Sequence, residues 1–513
     1  YSGIEPVVPP PLFALPRSPA TLPRISRPNA LLTAGASRHR LHVLTDEDHL
    51  QLPVLGPLPA LDVRNANPGR QPLPNRFKTC QAILAVLVGN SILVVPLVLI
   101  GRMGVLYRVP FPVLLRSSFG TTGARLPAML RAVVACGWFG IQTWIGGSAI
   151  YAIAKILFPS FVDPFATMII PVIGLDPIAF GSFLLFWGVH VFFIASGIES
   201  IRWLEIIAGP LLLAGGLAAL AWVYVSFGSF GTILKTSQNF IKTGDHSFWV
   251  VFGTAVTAVV GGWATLALNI PDFTRFARSG RDQLIGQALG LPLPAVLLAF
   301  IGVVVTSASY MALAKVVWNP VTLASELEGG LTVVLLLFLI IATITTNIAA
   351  NVVSPSNDFS NLAPGRISFK MGGYITVIIG ILMFPWKLME SANAYIFVWL
   401  IAYGALLGPI AGIMISDFYL VRRTRIAADD LFLKDGRYRY RKGWNLSGVA
   451  ALVIGVAPCF PGFLHAVGLW PRCPVSLTTI YDYSWFVGFS VAFVVYPVLM
   501  GFSTPERRDT VAS

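Results

Sequence analysis

The chain has 513 residues, of which 55% are hydrophobic and only 12% are charged. Because soluble proteins carry about 25% charged residues, this composition excludes a soluble enzyme, a disordered regulator and a coiled coil. It indicates an all-α polytopic membrane protein. The net charge of +13 is typical of either a nucleic-acid partner or a membrane surface, and the positions of the charges decide between them.

Residues 1–78 differ from the rest of the chain. They are rich in Pro, Arg and Ser, and five arginines but one acid lie between Tyr1 and Arg40. This pattern predicts a mostly disordered head, either an organellar transit peptide or an ordinary cytosolic tail. A transit peptide would place the protein in the plastid envelope, and a cytosolic tail would place it in the plasma membrane.

Eleven apolar blocks follow the head, and a hydrocarbon core requires about 20 residues for one crossing. The predicted spans are 79–101, 127–157, 176–197, 201–227, 248–269, 290–313, 331–353, 371–386, 393–421, 446–465 and 481–502. They define a membrane domain over 79–502, followed by a short tail over 503–513.

The basic residues are concentrated in alternate loops. The loop over 422–442, for example, carries eight basic residues against three acids. This asymmetry is typical of cytoplasmic loops, so the positive charge indicates orientation and requires no nucleic-acid partner. Eleven crossings would place the basic head opposite the C-terminus, which indicates either a translocated head or a missing span.

The first polar and aromatic segment lies over 137–147. Trp138 and Gln142 are four residues apart, so they share one face of a helix. An indole beside an amide is suited to stack on a flat heterocycle and to bond its edge. The alternative is a glycine-lined packing helix with an interfacial tryptophan.

The second segment lies over 259–272. Gly261 and Gly262 sit mid-span, and Asn269-Ile270-Pro271-Asp272 follows them. This pattern predicts a helix broken near the bilayer centre, where exposed backbone groups would line a site. Trp263 would supply a second aromatic face.

The third segment lies over 342–358 and contains Thr345, Thr346, Asn347 and Asn351. Such groups are costly in an apolar span unless they are satisfied. Neutral oxygens without a carboxylate suit a weakly held Na⁺, and the alternative is hydrogen bonding between helices. No span offers an obvious buried carboxylate as a proton carrier, and His190 is interpreted as a contact between helices.

Four motifs together resemble one family. The runs over 109–120, 137–147, 269–276 and 347–355 are similar to those of nucleobase:cation symport-1 transporters, which carry hydantoins, purines, uracil or allantoin. The resemblance is collinear over about residues 79–442. It implies a LeuT-type fold, with two inverted five-helix repeats and two extra C-terminal helices.

The resemblance also implies roles for particular residues. Trp138 and Trp263 would stack on the two faces of a planar ring, and Gln142 and Asn351 would hydrogen-bond its edges. The backbone near Gly262 would add one contact.

The same resemblance implies half of a Na⁺ site, formed by the Ala342 carbonyl and the hydroxyls of Thr345 and Thr346. No other cofactor is implied, and the coupling ion is Na⁺ or H⁺.

The departure from the family lies over residues 50–77, where prolines and arginines interrupt every apolar run. The family's first helix is therefore not recognisable, and an aberrant segment takes its place. Because that helix contributes the other half of the cation site, we expect weak or absent Na⁺ coupling.

Three functions remain. The leading one is a secondary active transporter whose partners are a nucleobase-like substrate, a coupling cation and the lipid bilayer. The second is a transport-incompetent binding or sensing protein. An intramembrane enzyme is disfavoured, because no span carries a constellation with catalytic spacing and the common enzyme motifs are absent.

Overall fold

The computed structural model describes residues 79–196, most of 214–233, and residues 248–313, 321–322, 330–389 and 398–503. The predicted head over 1–78, with its unrecognisable first helix, lies outside the described residues. So do residues 504–513 and parts of the predicted spans over 201–227 and 393–421.

The described residues are folded mainly into helices, sixteen of which are numbered. In chain order these are α1 (Thr79–Tyr107), α2 (Phe111–Phe119), α3 (Arg125–Leu157), α4 (Pro177–Ser196), α5 (Phe248–Asn269), α6 (Pro271–Thr274), α7 (Gly280–Gly290), α8 (Pro292–Leu313), α9 (Gly330–Ile348), α10 (Ser354–Leu362), α11 (Phe369–Leu382), α12 (Ile401–Ser416), α13 (Leu446–Val456), α14 (Phe460–Ala466), α15 (Val475–Asp482) and α16 (Ser484–Ser503). Two π-helical segments, Ala349–Val353 and Asp417–Val421, extend α9 and α12.

Within the described residues, nine helical stretches are long and apolar enough to cross a membrane. Two shorter apolar helices, Ala214–Ser226 and Phe369–Leu382, complete the set. Together they coincide with the eleven predicted spans. The prediction of an all-helical polytopic protein is therefore confirmed.

The helices pack in three groups. The first group contains α1, α5, α6, α7 and α8, and the second contains α3, α4, α9, α10 and α11. The third contains α12, α13 and α16, of which α12 also packs against α1, α3 and α5. Small residues allow close approach within a group, since a Cβ on Gly140 of α3 would lie 2.5 Å from the Gly380 carbonyl oxygen of α11.

Two predictions about the helices are wrong: a break inside one helix and the end of another. Helix α5 is continuous through Gly261 and Gly262 and ends at Asn269, so the expected break near the bilayer centre is absent from this described helix. The glycines keep helical geometry, whereas Pro271 has no N–H to continue the ladder. The seventh predicted span also runs past residue 353, through α10 to Leu362.

Three aspartates are buried among the described residues. Asp272 and Asp358 lie outside the predicted spans, whereas Asp417 lies within the predicted span over 393–421. Arg131 is also buried and pairs with Asp358. Asp358 and Asp417 therefore lie buried within described spans, where the sequence predicted no obvious buried carboxylate. Arg131, 227 residues away in the chain, makes the burial of Asp358 possible.

Candidate functional site

Trp138 and Gln142 lie on the buried part of α3. The Trp138 indole nitrogen donates to the Tyr403 hydroxyl of α12 at 3.2 Å, and the two rings meet edge to face at 6.3 Å. Gln142 is also buried, and its Nε2 has no hydrogen-bond partner among the described residues. The predicted shared face thus carries one anchored aromatic ring and one unpaired amide donor.

Trp263 and Gly262 lie on α5, which packs against α12. Trp263 is 2% exposed, and its indole N–H has no partner among the described residues. The preceding turn approaches α12 closely, because a Cβ on Gly261 would lie 3.0 Å from the Leu400 carbonyl oxygen. Both predicted stacking tryptophans belong to the main buried core, and the helices that carry them each pack against α12.

Two aromatic residues of this region were missed by sequence reasoning. Trp399 packs directly on Gly137, where a Cβ would lie 2.2 Å from its ring, and it meets Tyr403 at 5.3 Å between ring centroids. The Trp399 indole nitrogen is buried without a partner in the described part of the chain. Their spacing of four residues on an apolar helix was the available signal.

Asn351 lies in the π-helical segment that extends α9. Such segments are frequent at functional sites. Its Nδ2 donates to the Asn347 side-chain oxygen at 3.1 Å. Asn347 in turn donates to the Phe139 carbonyl at 3.1 Å and lies 3.2 Å from the Thr143 hydroxyl. These bonds hold Asn351 beside the part of α3 that carries Trp138 and Gln142.

His190 of α4 completes this chain of hydrogen bonds. Its Nδ1 lies 2.9 Å from the Phe186 carbonyl, so that nitrogen carries the hydrogen. Its Nε2 therefore accepts from Asn347 Nδ2 at 3.2 Å. The histidine thus connects two helices, as predicted, and it also orients the amide that holds Asn351.

The predicted half-site for a cation lies on the preceding turns of α9. The Thr345 hydroxyl donates to the Ala342 carbonyl at 2.7 Å, and Thr346 is fully buried. Their spacing of three and four residues places three neutral oxygens on one helix face. Within the described residues, no group of three His, Cys, Asp or Glu side chains could hold a metal ion.

The described residues thus combine buried aromatic rings and N–H donors without partners on α3 and α5 with the neutral oxygens of α9, which packs against α3. Leaving a buried donor unpaired costs about 1–3 kcal/mol, so a ligand that presents carbonyl oxygens would bind favourably here. The aromatic rings suit a planar ligand.

Comparison with known proteins agrees with this chemistry. The model of the family described as permeases for cytosine/purines, uracil, thiamine and allantoin matches residues 69–488. The chain is 42% identical to the purine-uracil permease NCS1 of Arabidopsis thaliana, over 82% of this chain and 69% of that protein. It is 39% identical to the allantoin permease of Bacillus subtilis (strain 168), over 83% of this chain and 84% of that protein.

A solved structure has the same architecture. Mhp1, described as a nucleobase-cation-symport-1 family transporter in a closed conformation with bromovinylhydantoin bound, matches with a TM-score of 0.70. The match is 25% identical and covers 90% of this chain and 91% of that chain. The LeuT-type fold expected from the sequence is thereby confirmed. The chain therefore belongs to the nucleobase-cation-symport-1 family of integral membrane permeases.

Proposed function

We propose that this protein is a secondary active transporter that moves uracil, purines or allantoin across a membrane together with a cation. The relatives that carry such names are similar over more than four fifths of this chain. Transport, as opposed to catalysis, fits a site composed of aromatic rings, amides and neutral oxygens.

One observation carries the proposal. The Gln142 amide and the Trp263 indole are buried N–H donors without partners among the described residues, and the helices that carry them, α3 and α5, both pack against α12. Each unpaired donor costs about 1–3 kcal/mol, and a ligand carbonyl would remove that cost. Uracil, oxopurines and allantoin all combine carbonyl oxygens with N–H groups in a compact ring.

The binding mode follows from the same residues. The ring would lie between Trp138 and Trp263, while Gln142 and Asn351 hydrogen-bond its edges and the Gly262 backbone adds one contact. Asn351 has a fixed orientation because Asn347 accepts its Nδ2 hydrogen. The preformed orientation would lower the entropic cost of binding.

The coupling ion is part of the proposal. Ala342, Thr345 and Thr346 offer three neutral oxygens, which is half of a Na⁺ site. The sequence over 50–77 has no apolar run that could supply the other half in a crossing helix. We therefore expect uptake to depend weakly on Na⁺, and strong Na⁺ dependence would contradict this expectation.

Uptake and binding of radiolabelled uracil, hypoxanthine and allantoin, measured separately on protein in lipid vesicles, test the proposal. In Gln142→Leu we expect binding to weaken about tenfold to a hundredfold, because a ligand carbonyl loses its donor. Gln287→Leu is the matched control: Gln287 is equally buried on α7 and also has an unpaired Nε2.

The outcomes separate the two functional classes. Binding accompanied by uptake supports the transporter, whereas binding without uptake favours the transport-incompetent binding or sensing protein. Unchanged binding in Gln142→Leu would show that the substrate does not contact this amide.

The location of the protein is tested independently. A fusion of residues 1–78 to a fluorescent protein would enter plastids if the Arg-rich, acid-poor head acts in import. Retention in the cytosol would favour the plasma membrane.

A further inference from the structure

A second polar cluster is buried where α2, α3, α5, α6 and α10 meet. Arg131 Nη1 of α3 donates to Asp358 Oδ2 of α10 at 3.2 Å. Ser354 Oγ lies 2.6 Å from Asp272 Oδ2, and Asn269 lies between Ser354 and Arg131. All five side chains are less than 5% exposed. The cluster holds two carboxylates but only one cation in its interior.

The orientation of the Asn269 amide is fixed by its neighbours. One end of the amide lies 2.6 Å from the Thr265 carbonyl oxygen, which only accepts, so that end is Nδ2. The other end lies 2.9 Å from Arg131 Nη2, which only donates, so that end is Oδ1. The same Oδ1 lies within hydrogen-bond distance of Ser354 Oγ.

This orientation leaves the cluster one hydrogen short. Asn269 Oδ1 and an ionised Asp272 Oδ2 can both only accept, and Ser354 has a single hydroxyl hydrogen for the two of them. One of these two oxygens would therefore face Ser354 Oγ without a hydrogen between them, although Asp272 Oδ2 is only 2.6 Å from it. A hydrogen on Asp272 Oδ2 completes the chain of bonds from Asp272 through Ser354 and Asn269 to Arg131.

The other carboxyl oxygen agrees with a neutral acid. Asp272 Oδ1 accepts the Phe111 backbone N–H at 2.9 Å. A neutral carboxylic acid has one oxygen that accepts and one that donates, which matches the partners of Oδ1 and Oδ2. Burial also raises the pKa of the Asp272 carboxyl above its ordinary value.

Neighbouring guanidinium groups are bonded to other acceptors. Arg131 pairs with Asp358, and Arg275 donates to the Asp272 backbone carbonyl at 3.1 Å. Arg116 and Arg108 donate to backbone carbonyls of other segments. The charged and titratable groups on or next to the helices packed around the cluster include Arg102, Tyr107, Arg108, Arg116, Arg125, Arg131, Cys136, Arg275, Asp358 and, on α11, Lys370 and Tyr374.

The cluster is joined to the candidate substrate site through two helices. Ser354 follows Asn351 by three residues, and Asn269 follows Trp263 by six residues on α5. The bonds also connect the first helix group, through Asn269 and Asp272, to the second group, through Arg131, Ser354 and Asp358. A change at Asp272 therefore bears directly on the contact between the groups that carry the two sides of the substrate site.

We propose that Asp272 is a proton-binding site of this transporter, occupied in the arrangement described here and emptied when the two helix groups separate. In the step, the carboxylate takes one proton from water and becomes a neutral acid, whose O–H bonds to Ser354. The cluster then carries one cation, one carboxylate and no net charge. Release returns the proton to water and restores the carboxylate. The coupling to substrate movement rests on the proposed function.

Infrared spectroscopy of the protein in lipid vesicles near pH 7 tests the site without any substrate. We expect the carbonyl band of a protonated carboxyl group in the wild-type protein and in Asp435→Asn, which changes an exposed aspartate. The band should vanish in Asp272→Asn, return in Asp272→Glu and shift in frequency in Ser354→Ala. If Asp272→Asn does not fold, the Ser354→Ala shift still decides the assignment.

Other spectra would overturn the proposal. Absence of the band in the wild-type protein would show that Asp272 is ionised. A band that survives Asp272→Asn, or that Ser354→Ala leaves unshifted, would place the proton on another group.

Proton movement during uptake tests the coupling. A pH gradient of one unit corresponds to about 1.4 kcal/mol, so one coupled proton supports about tenfold accumulation of uracil. We expect this accumulation in the wild-type protein and its loss in Asp272→Asn, with uracil binding retained. Uptake without proton movement would overturn the coupling, whereas absence of uracil binding would overturn the proposed function and leave the infrared result to decide the proton site.

Discussion

Helix α2 is hydrogen-bonded to a buried carboxylate at each of its ends, and the two carboxylates differ. At the N-terminal end, the Phe111 N–H donates to Asp272. At the C-terminal end, the hydroxyls of Ser117 and Ser118 donate to Asp417 Oδ2 at 2.9 and 3.1 Å. One short helix thus contacts two charged clusters that belong to different helix groups.

The cluster around Asp417 is complete. Arg422 Nε donates to Oδ2 at 2.8 Å, and the Tyr496 hydroxyl donates to Oδ1 at 2.8 Å. With the two serines, four donors lie within hydrogen-bond distance of the two oxygens, and one of them brings the compensating positive charge.

Asp272, in contrast, accepts one backbone N–H, and among the described residues no cation is bonded to its carboxyl group. Its second oxygen faces the Ser354 hydroxyl, whose single hydrogen Asn269 also requires. Asp417 thus joins α2 to the segment that extends α12 and to α16, whereas the contact at the other end of α2 depends, in our proposal, on a proton. A transporter needs both kinds of contact, because some helices must stay together while others separate.

The largest expected effect tests the complete cluster. In Asp417→Ala, the Arg422 guanidinium loses its buried partner and four hydrogen bonds disappear. We expect a loss of about 3–5 kcal/mol in the free energy of unfolding, measured by thermal or denaturant unfolding in detergent.

Asp435→Asn is the control for Asp417→Ala, because its ion pair with Arg439 is exposed and contributes no more than about 1 kcal/mol. Equal stability of the two variants would show that Asp417 does not fix α2.

Sequence patterns predicted the apolar spans and the burial of Trp138, Gln142, Trp263 and Asn351, because these depend on local composition and helical spacing. They did not predict where helices end. The seventh span was predicted to end at residue 353, which left Asp358 outside it, although Arg131 makes the burial of Asp358 possible.

The π-helical segment at Asn351 was also not predicted. Its register depends on contacts of Asn347 with Phe139 and His190, which belong to other helices. Local propensity contains no information about such partners, because they lie more than 150 residues away in the chain.

The next expected effect is a pH dependence of the protein's stability, caused by Asp272. Because burial raises the pKa of Asp272 in the folded protein, the folded state keeps its proton at pH values where the unfolded chain, with an ordinary carboxyl pKa of about 4, has released it. Stability should therefore fall as pH rises, by up to about 1.4 kcal/mol for each pH unit, until the folded pKa is passed.

Unfolding temperatures in detergent between about pH 5 and about pH 8 measure this slope. Asp272→Asn should have a shallower slope than the wild-type protein, and Asp435→Asn should keep the wild-type slope. Parallel slopes in all three proteins would indicate that Asp272 titrates normally, which would remove the distinction from Asp417.

The smallest effect concerns a hydrogen-bond chain that has no net charge. In His190→Leu, Asn347 loses one acceptor but keeps the Phe139 carbonyl, so the fold should persist. The orientation of the Asn347 side chain, and with it that of Asn351, becomes less restricted. We expect uracil binding to weaken by about 1 kcal/mol, or about fivefold, measured by equilibrium binding.

His465→Leu is the control, because it changes an exposed histidine on α14 and should bind uracil as the wild-type protein does. If His190→Leu unfolds the protein, His190 is a structural contact, as Asp417 is. If His190→Leu weakens uracil binding without unfolding the protein, the neutral hydrogen bonds of His190 and Asn347 orient the Asn351 amide that contacts the substrate.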